Sequence, residues 1–305
     1  MNKNIAKRIL SVLTIFVLIF TICGCSDGKT YVNPPMWKVC DEETGSVIYM
    51  LGTYHMGYLN TVFPEKMYEA IDACDAVAVE VDIVQLDKQS NLVAEEMKLF
   101  EVEDAKEIMG DDYDKARALY DSLNIYNGNY EHYMPTIWTS GLSGKFALDL
   151  GMFSAYGADR AVINYANKNG KEVRELETLS LQYHLQADQS LEYQMFLLNR
   201  VVDTPIKEQQ DEILKTYRAW KDSDMKTLEG LMDNYYDNVP DELMEEHQKV
   251  YDAIYTNRQK NMAENILQWL KNGEKVFVAV GALHYFASPD IIDFLTESGY
   301  TVEVV

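Results

Sequence analysis

Two Gly-x-x-His motifs, Gly52-Thr-Tyr-His55 and Gly281-Ala-Leu-His284, stand near opposite ends of this 305-residue chain. Each follows directly on an apolar run of strand length, Ser46–Leu51 before the first and Lys275–Val280 before the second. A glycine at the end of a strand lets backbone approach closely or turn sharply. A histidine just beyond it can ligate a metal or carry a proton near neutral pH. In open α/β sheets, ligands gather outside the carboxyl ends of the strands. The pair therefore requires a fold that brings two distant strands into one sheet with both ends facing one crevice.

The remaining strand-like runs agree with that requirement. Met36–Cys40, Ser46–Gly52 and Ala76–Val81 cluster near the N-terminus, and Lys275–Gly281 and Tyr300–Val305 near the C-terminus, with Lys171–Leu176 between them. Asp41-Glu-Glu-Thr-Gly45 reads as the turn of a hairpin. The middle of the chain is helical by pattern: Pro64–Ala73, Glu103–Met109, Tyr113–Leu123, Ala158–Asn169, Leu191–Val202, Ile206–Lys221 and Met225–Tyr236 carry apolar residues at helical spacing. Asp241–Asn272 reads as one or two further helices, and a last helix starts at Ser288-Pro289-Asp290. The expected class is α/β, a central mixed, largely parallel sheet built from N- and C-terminal strands and covered by a long helical middle segment.

Residues 1–24 read as an export signal: Lys3, Lys7 and Arg8 precede an uncharged stretch from Ile9 to Cys25. The ending Ile22-Cys23-Gly24-Cys25 resembles a bacterial lipobox, which implies cleavage before Cys25 and a lipid on its sulfur. An uncleaved N-terminal anchor is the alternative. Either way, residues 25–33 would be a tether and 34–305 a single domain held at the extracytoplasmic face of the membrane. Removing three positive charges from a chain of net −22 leaves −25. So acidic a surface disfavours nucleic acid and anionic lipid headgroups. Cys40 and Cys74 are too few for a disulfide framework, and two separate thiols are favoured over a bridge.

Three residues stand out chemically. His55 and His284 close their strands, whereas His132, His184 and His247 lack that setting and read as surface or local structural residues. Glu80 interrupts the otherwise apolar Ala76–Val81. A buried carboxylate is costly without a cation or hydrogen-bond network, so one is expected beside it. Asp82 falls on the same strand face and joins the candidate ligands. Two histidines and a glutamate suit a catalytic divalent ion with an open water position, with Mn, Co or Zn as the candidates. The same groups could act without metal, one imidazole taking a proton from water. There is no His-Glu-x-x-His and no Gly-x-Ser-x-Gly elbow, and Gly141-Leu-Ser-Gly144 has the wrong spacing for the latter.

Gly52-Thr-Tyr-His55, Val79-Glu-Val-Asp82, Gly157-Ala-Asp159, Leu176-Glu-Thr178 with Gln182, Val280-Gly-Ala-Leu-His284 and Gly299-Tyr-Thr-Val302 together resemble the TraB/PrgY/GumN family. Asn257-Arg258 and Asn261-Met262-Ala263 are similar to its Arg-Asn-x-x-Met segment, with Gln259 where the family carries asparagine. The resemblance extends remotely to Tiki metalloproteases, erythromycin esterases and ChaN-like haem-binding lipoproteins. It implies a site formed by His55, Glu80 and His284, with Glu177 and Arg258 orienting ligands or positioning substrate. It further implies a hydrolase acting on a peptide or small molecule, a peptide fitting the pheromone-shutdown role attributed to the PrgY branch. A lipoprotein that binds a peptide or haem-like ligand without turnover is the rival.

Overall fold

The computed structural model describes residues 28–233 and 237–305. The segment read as an export signal, Cys25 and the end of the helix expected to reach Tyr236 lie outside the described residues. Among those described, no helix is long and apolar enough to cross a membrane.

Among the described residues eight strands form: β1 (Thr30–Tyr31), β2 (Met36–Asp41), β3 (Ser46–Thr53), β4 (Thr61–Val62), β5 (Ala76–Val79), β6 (Glu172–Glu175), β7 (Lys275–Gly281) and β8 (Val302–Val304). Six of them make a mixed, mostly parallel sheet in the order β6-β5-β7-β3-β2-β8. β6, β5, β7 and β3 run parallel, while β2 and β8 add antiparallel pairs at one edge. The fold is thus α/β with its sheet drawn from both ends of the chain, as the sequence implies. β2 and β3 form the expected hairpin, its turn held by the Asp41 carboxylate accepting from the Glu43 and Thr44 amides.

Burial explains the central strands. Every residue of β5 is buried, and β7 is buried from Val276 to Val280, as parallel strands covered on both faces must be. The covering helices present apolar residues at three- and four-residue intervals. Glu65–Asp72 buries Met67, Ala70 and Ile71; Ala158–Lys168 buries Val162, Ile163 and Ala166; Asn257–Lys271 buries Met262, Ala263, Ile266 and Leu270. Each fully buried aliphatic chain of this kind is worth roughly 1.5–3 kcal/mol relative to exposure. A second, smaller core lies among the middle helices, where Trp138 packs against Tyr113, Tyr120 and Tyr130, and the Tyr120 hydroxyl donates to the Trp138 carbonyl.

Several local readings change. β5 stops at Val79 rather than Val81, because Asp82 caps the short helix Ile83–Leu86 and pulls the chain out of the sheet. Within the stretch expected to be a tether, Thr30–Tyr31 pairs in parallel with Thr61–Val62. Helices Ser90–Met97, Pro135–Asp149 and Leu179–Ala187 carry no clear sequence signal. Gly141, in the second of these, stands against the Tyr120 hydroxyl, where a side chain would collide. The expected helical stretch before Asn272 is divided by a π-helical turn, Asp252–Thr256. Cys40 and Cys74 are separate thiols, one exposed and one buried.

Candidate active site

The parallel register places four chemical groups side by side. Thr53 on β3 lies opposite Gly281 on β7, and Val79 on β5 lies opposite Ala279 on β7. Beyond β5, the Glu177 amide donates to the Glu80 carbonyl, extending the β5–β6 pairing past the last strand residues. Glu177, Glu80, His284 and His55 therefore follow the ends of β6, β5, β7 and β3 in the order those strands stand in the sheet. The two motifs also touch. A Cβ on Gly52 would lie 3.1 Å from both Cα and Cβ of Ala282, inside the second motif. A Cβ on Gly281 would lie 3.3 Å from Glu80 Oε1, 3.6 Å from His55 Nε2 and 3.8 Å from His284 Cδ2. The motif glycines serve as contact points: the first lets the motifs pack, and the second leaves the space on which the His55, Glu80 and His284 side chains converge.

His55 has a partner that was not assigned a role from sequence. Asp159, at the start of the helix Ala158–Lys168, is buried and accepts from His55 Nδ1 at 2.9 Å and from Thr53 Oγ1 at 2.6 Å. A carboxylate can only accept, so the imidazole proton sits on Nδ1 and Nε2 faces the cleft. The Asp159 charge raises the His55 pKa to about 9, with a smaller contribution from Glu80. The ring remains open to the solvent of the cleft, its side chain 68% exposed.

Glu80 is enclosed. Its Oε1 accepts from the Gly281 amide at 2.7 Å, and its Oε2 from Arg258 Nη2 at 2.7 Å and Gln182 Nε2 at 3.1 Å. Burial pushes its pKa up, but His284, His55, Arg258 and the Gly281 amide outweigh it and hold the carboxyl near 2. Arg258, delivered just after the π-helical turn, grips Glu177 with two parallel bonds of 2.6 and 2.7 Å and reaches Glu80 with the same Nη2. Burial disfavours its charge, yet Glu177 and Glu80 keep the guanidinium protonated. Gln182, on the unanticipated helix Leu179–Ala187, bridges both glutamates.

His284 is the opposite of His55. It is buried, its Nε2 stands 3.8 Å from Glu80 Oε1, and its Nδ1 makes no hydrogen bond to protein. Burial dominates and lowers its pKa to about 4, so the ring is neutral at physiological pH. The Tyr255 ring packs edge-on against it, with centroids 5.9 Å apart. Asp82 does not join the group: its carboxylate caps a helix through the Val84 and Gln85 amides. The other histidines stay apart from the crevice. His132 and His184 are exposed, and His247 is buried against the Tyr193 hydroxyl.

These groups floor a cleft of about 430 Å³ whose walls include Tyr54, Trp220, Leu228, Ile254 and Leu283. A larger cleft of about 750 Å³, lined by residues such as Phe146, Arg200 and Ile213, holds none of the strand-end groups. The donor types around Gly281, two imidazoles and a carboxylate with Asp159 behind one of them, match a divalent ion in kind. Three carboxylates against one guanidinium also leave a negative excess that a cation would balance. Both Glu80 oxygens are already engaged, however, and among the described residues no three His, Cys, Asp or Glu side chains stand close enough to form a ready cage.

Fold and site define an α/β protein with a two-histidine, carboxylate-rich crevice at the carboxyl edge of its sheet. The chain belongs to the TraB/PrgY/gumN family, whose sequence profile matches residues 35–304. Searches of curated proteins and of solved structures returned no match. Gly157-Ala-Asp159 and Gln182 were visible as family-like residues, but only the fold shows what they touch.

Proposed function

We propose that the crevice is the active site of a hydrolase, a peptidase of the TraB/Tiki type. One observation carries this reading: His55 Nε2, Glu80 Oε1 and the His284 ring converge on the space left by the missing side chain of Gly281. His55 is the proton carrier, because Asp159 fixes its tautomer and raises its basicity while Nε2 stays open to the cleft. Its neutral form takes a proton from water, and its charged form returns one to the leaving group. Glu80 is too acidic and too fully hydrogen-bonded to act as a base. It contributes fixed negative charge that favours the positive His55 formed when the proton arrives. Neutral His284 offers a lone pair to water, substrate or ion. Arg258 and Gln182 hold Glu80 and Glu177 in place. A divalent ion, if held, would sit on His55, His284 and Glu80 and would supply a polarised water.

The apolar walls fit a substrate with an apolar group beside the bond to be cut, which suits a peptide with a large hydrophobic side chain. We also propose that the chain is exported and tethered to the membrane through Cys25, a reading supported by the basic start and uncharged run of its first residues. The test is a peptide-library screen of purified protein with Mn²⁺, Co²⁺, Zn²⁺ or chelator. Cleavage beside apolar residues, lost in both His55→Ala and His284→Ala, is the expected result. Tight peptide or haem binding without turnover under every condition would overturn the enzyme reading in favour of a binding lipoprotein.

A further inference from the structure

Grouped, water-exposed apolar side chains mark a surface that something covers. Among the described residues, four exposed large apolar side chains, Tyr31, Leu59, Leu148 and Phe153, lie on segments that touch one another. Leu59, 74% exposed, tips the turn four positions after His55. Phe153 pairs backbone to backbone with Gly57, both amides donating across. The Leu148 carbonyl accepts from Gly151, which stands against the Tyr58 ring. Tyr31 lies on β1 opposite Val62, and its neighbour Thr30 donates to the Asn60 carbonyl beside Leu59. The four residues therefore sit on three neighbouring segments: the one after His55, the one before Asp159 and the first described strand.

The position of β1 says what covers them. Ile9–Cys25 carries no charge, and Cys25 stands close before Thr30. Fully extended, the intervening chain spans no more than about 17 Å. β1 is fixed in register on β4, so its face cannot move away from that reach. The conclusion holds whether Cys25 carries a lipid or the uncharged run stays in the bilayer. We infer that the segments carrying Tyr31, Leu59, Leu148 and Phe153 dock on a lipid bilayer, these apolar side chains entering the interfacial layer. The inference rests on the membrane tether proposed above. With a net charge of −22, the chain gains nothing from anionic headgroups, so the contact is apolar and its occupant a zwitterionic surface. Docking this way brings the loop that carries His55 to the interface.

Hydroxyl-radical footprinting of the full chain on phosphatidylcholine vesicles tests this. Leu92 and Leu191, exposed on the helices Ser90–Met97 and Leu191–Asp203, are internal controls. The expected result is several-fold lower oxidation at Leu59, Phe153, Tyr31 and Leu148 than at the controls. The double variant Leu59→Asp/Phe153→Asp should still sediment with vesicles while Tyr31 and Leu148 lose their protection. Sedimentation of the wild-type chain with equal oxidation at all six positions would overturn docking and leave the tether standing. Failure to sediment would overturn the tether and the docking with it.

Discussion

With Asp159 accepting from Nδ1, the His55 imidazole keeps its proton there and turns Nε2 to the cleft, so its protonation governs the chemistry proposed for it. Its pKa of about 9 means that the neutral, proton-accepting form grows as pH rises from 7 to 9. Hydrolysis that uses this base should therefore rise over that range. Asp159→Asn removes the charge that raises the pKa, so the rising limb moves to lower pH. The same variant frees the tautomer, and kcat falls by about 10²-fold or more. A pH–rate profile of the two proteins checks both effects; an unmoved limb would show that another group carries the proton. Arg258 presents a different kind of dependence. It is the one guanidinium between two enclosed carboxylates, and removing one member of such a buried set costs about 3–5 kcal/mol. Arg258→Met should lower stability by that order in urea unfolding. Arg258→Lys restores the charge without the two-pronged grip on Glu177 and should recover only part of it.

At the scale of elements, the parallel pairing of β3 with β7 turns two short motifs into one site, and their glycines make separable predictions. A Cβ on Gly52 would press Ala282 and Pro35 at 3.1–3.2 Å. Gly52→Ala should cost about 1–3 kcal/mol of stability, read as a lower midpoint in denaturant. A Cβ on Gly281 meets functional atoms at 3.3–3.6 Å and lies where they converge. Gly281→Ala should thus remove activity with a smaller loss of stability, and the opposite ranking would contradict these roles. The strand ends were legible because β3, β5 and β7 are apolar runs of strand length broken by a histidine or glutamate. The order β5-β7-β3 was not, since neither periodicity nor spacing says which distant strands pair. Asp159 and Gln182 come from helices, and a helical pattern shows which face is apolar without showing what its polar N-terminal residues meet. Asp82 was misread for a related reason: two acids at strand spacing share a face only while the strand continues, and capping ended it at Val79.

The whole molecule carries the site's charge pattern into its stability. Glu80 titrates near 2 when folded against an ordinary 4.5, so its contribution is present above 4.5 and fades as pH falls toward 2. His284 titrates near 4 against 6.5, so the folded state binds fewer protons than the unfolded chain between those values and loses stability as pH falls through them. His55 works in the other direction. Its contribution is full below 6.5 and lost as pH rises through about 9. Stability to urea should therefore peak near pH 6.5 and decline on both sides, with Asp159→Asn flattening the alkaline limb. The central claim is that the two Gly-x-x-His motifs share one site through Glu80. The most direct measurement is a side-chain NMR titration of the histidines in the wild-type protein and in Glu80→Gln. His55 should titrate near 9 and His284 near 4, and both should move to lower pH together when the Glu80 charge is removed. Two histidines titrating near 6.5, with neither responding to Glu80→Gln, would contradict a shared site.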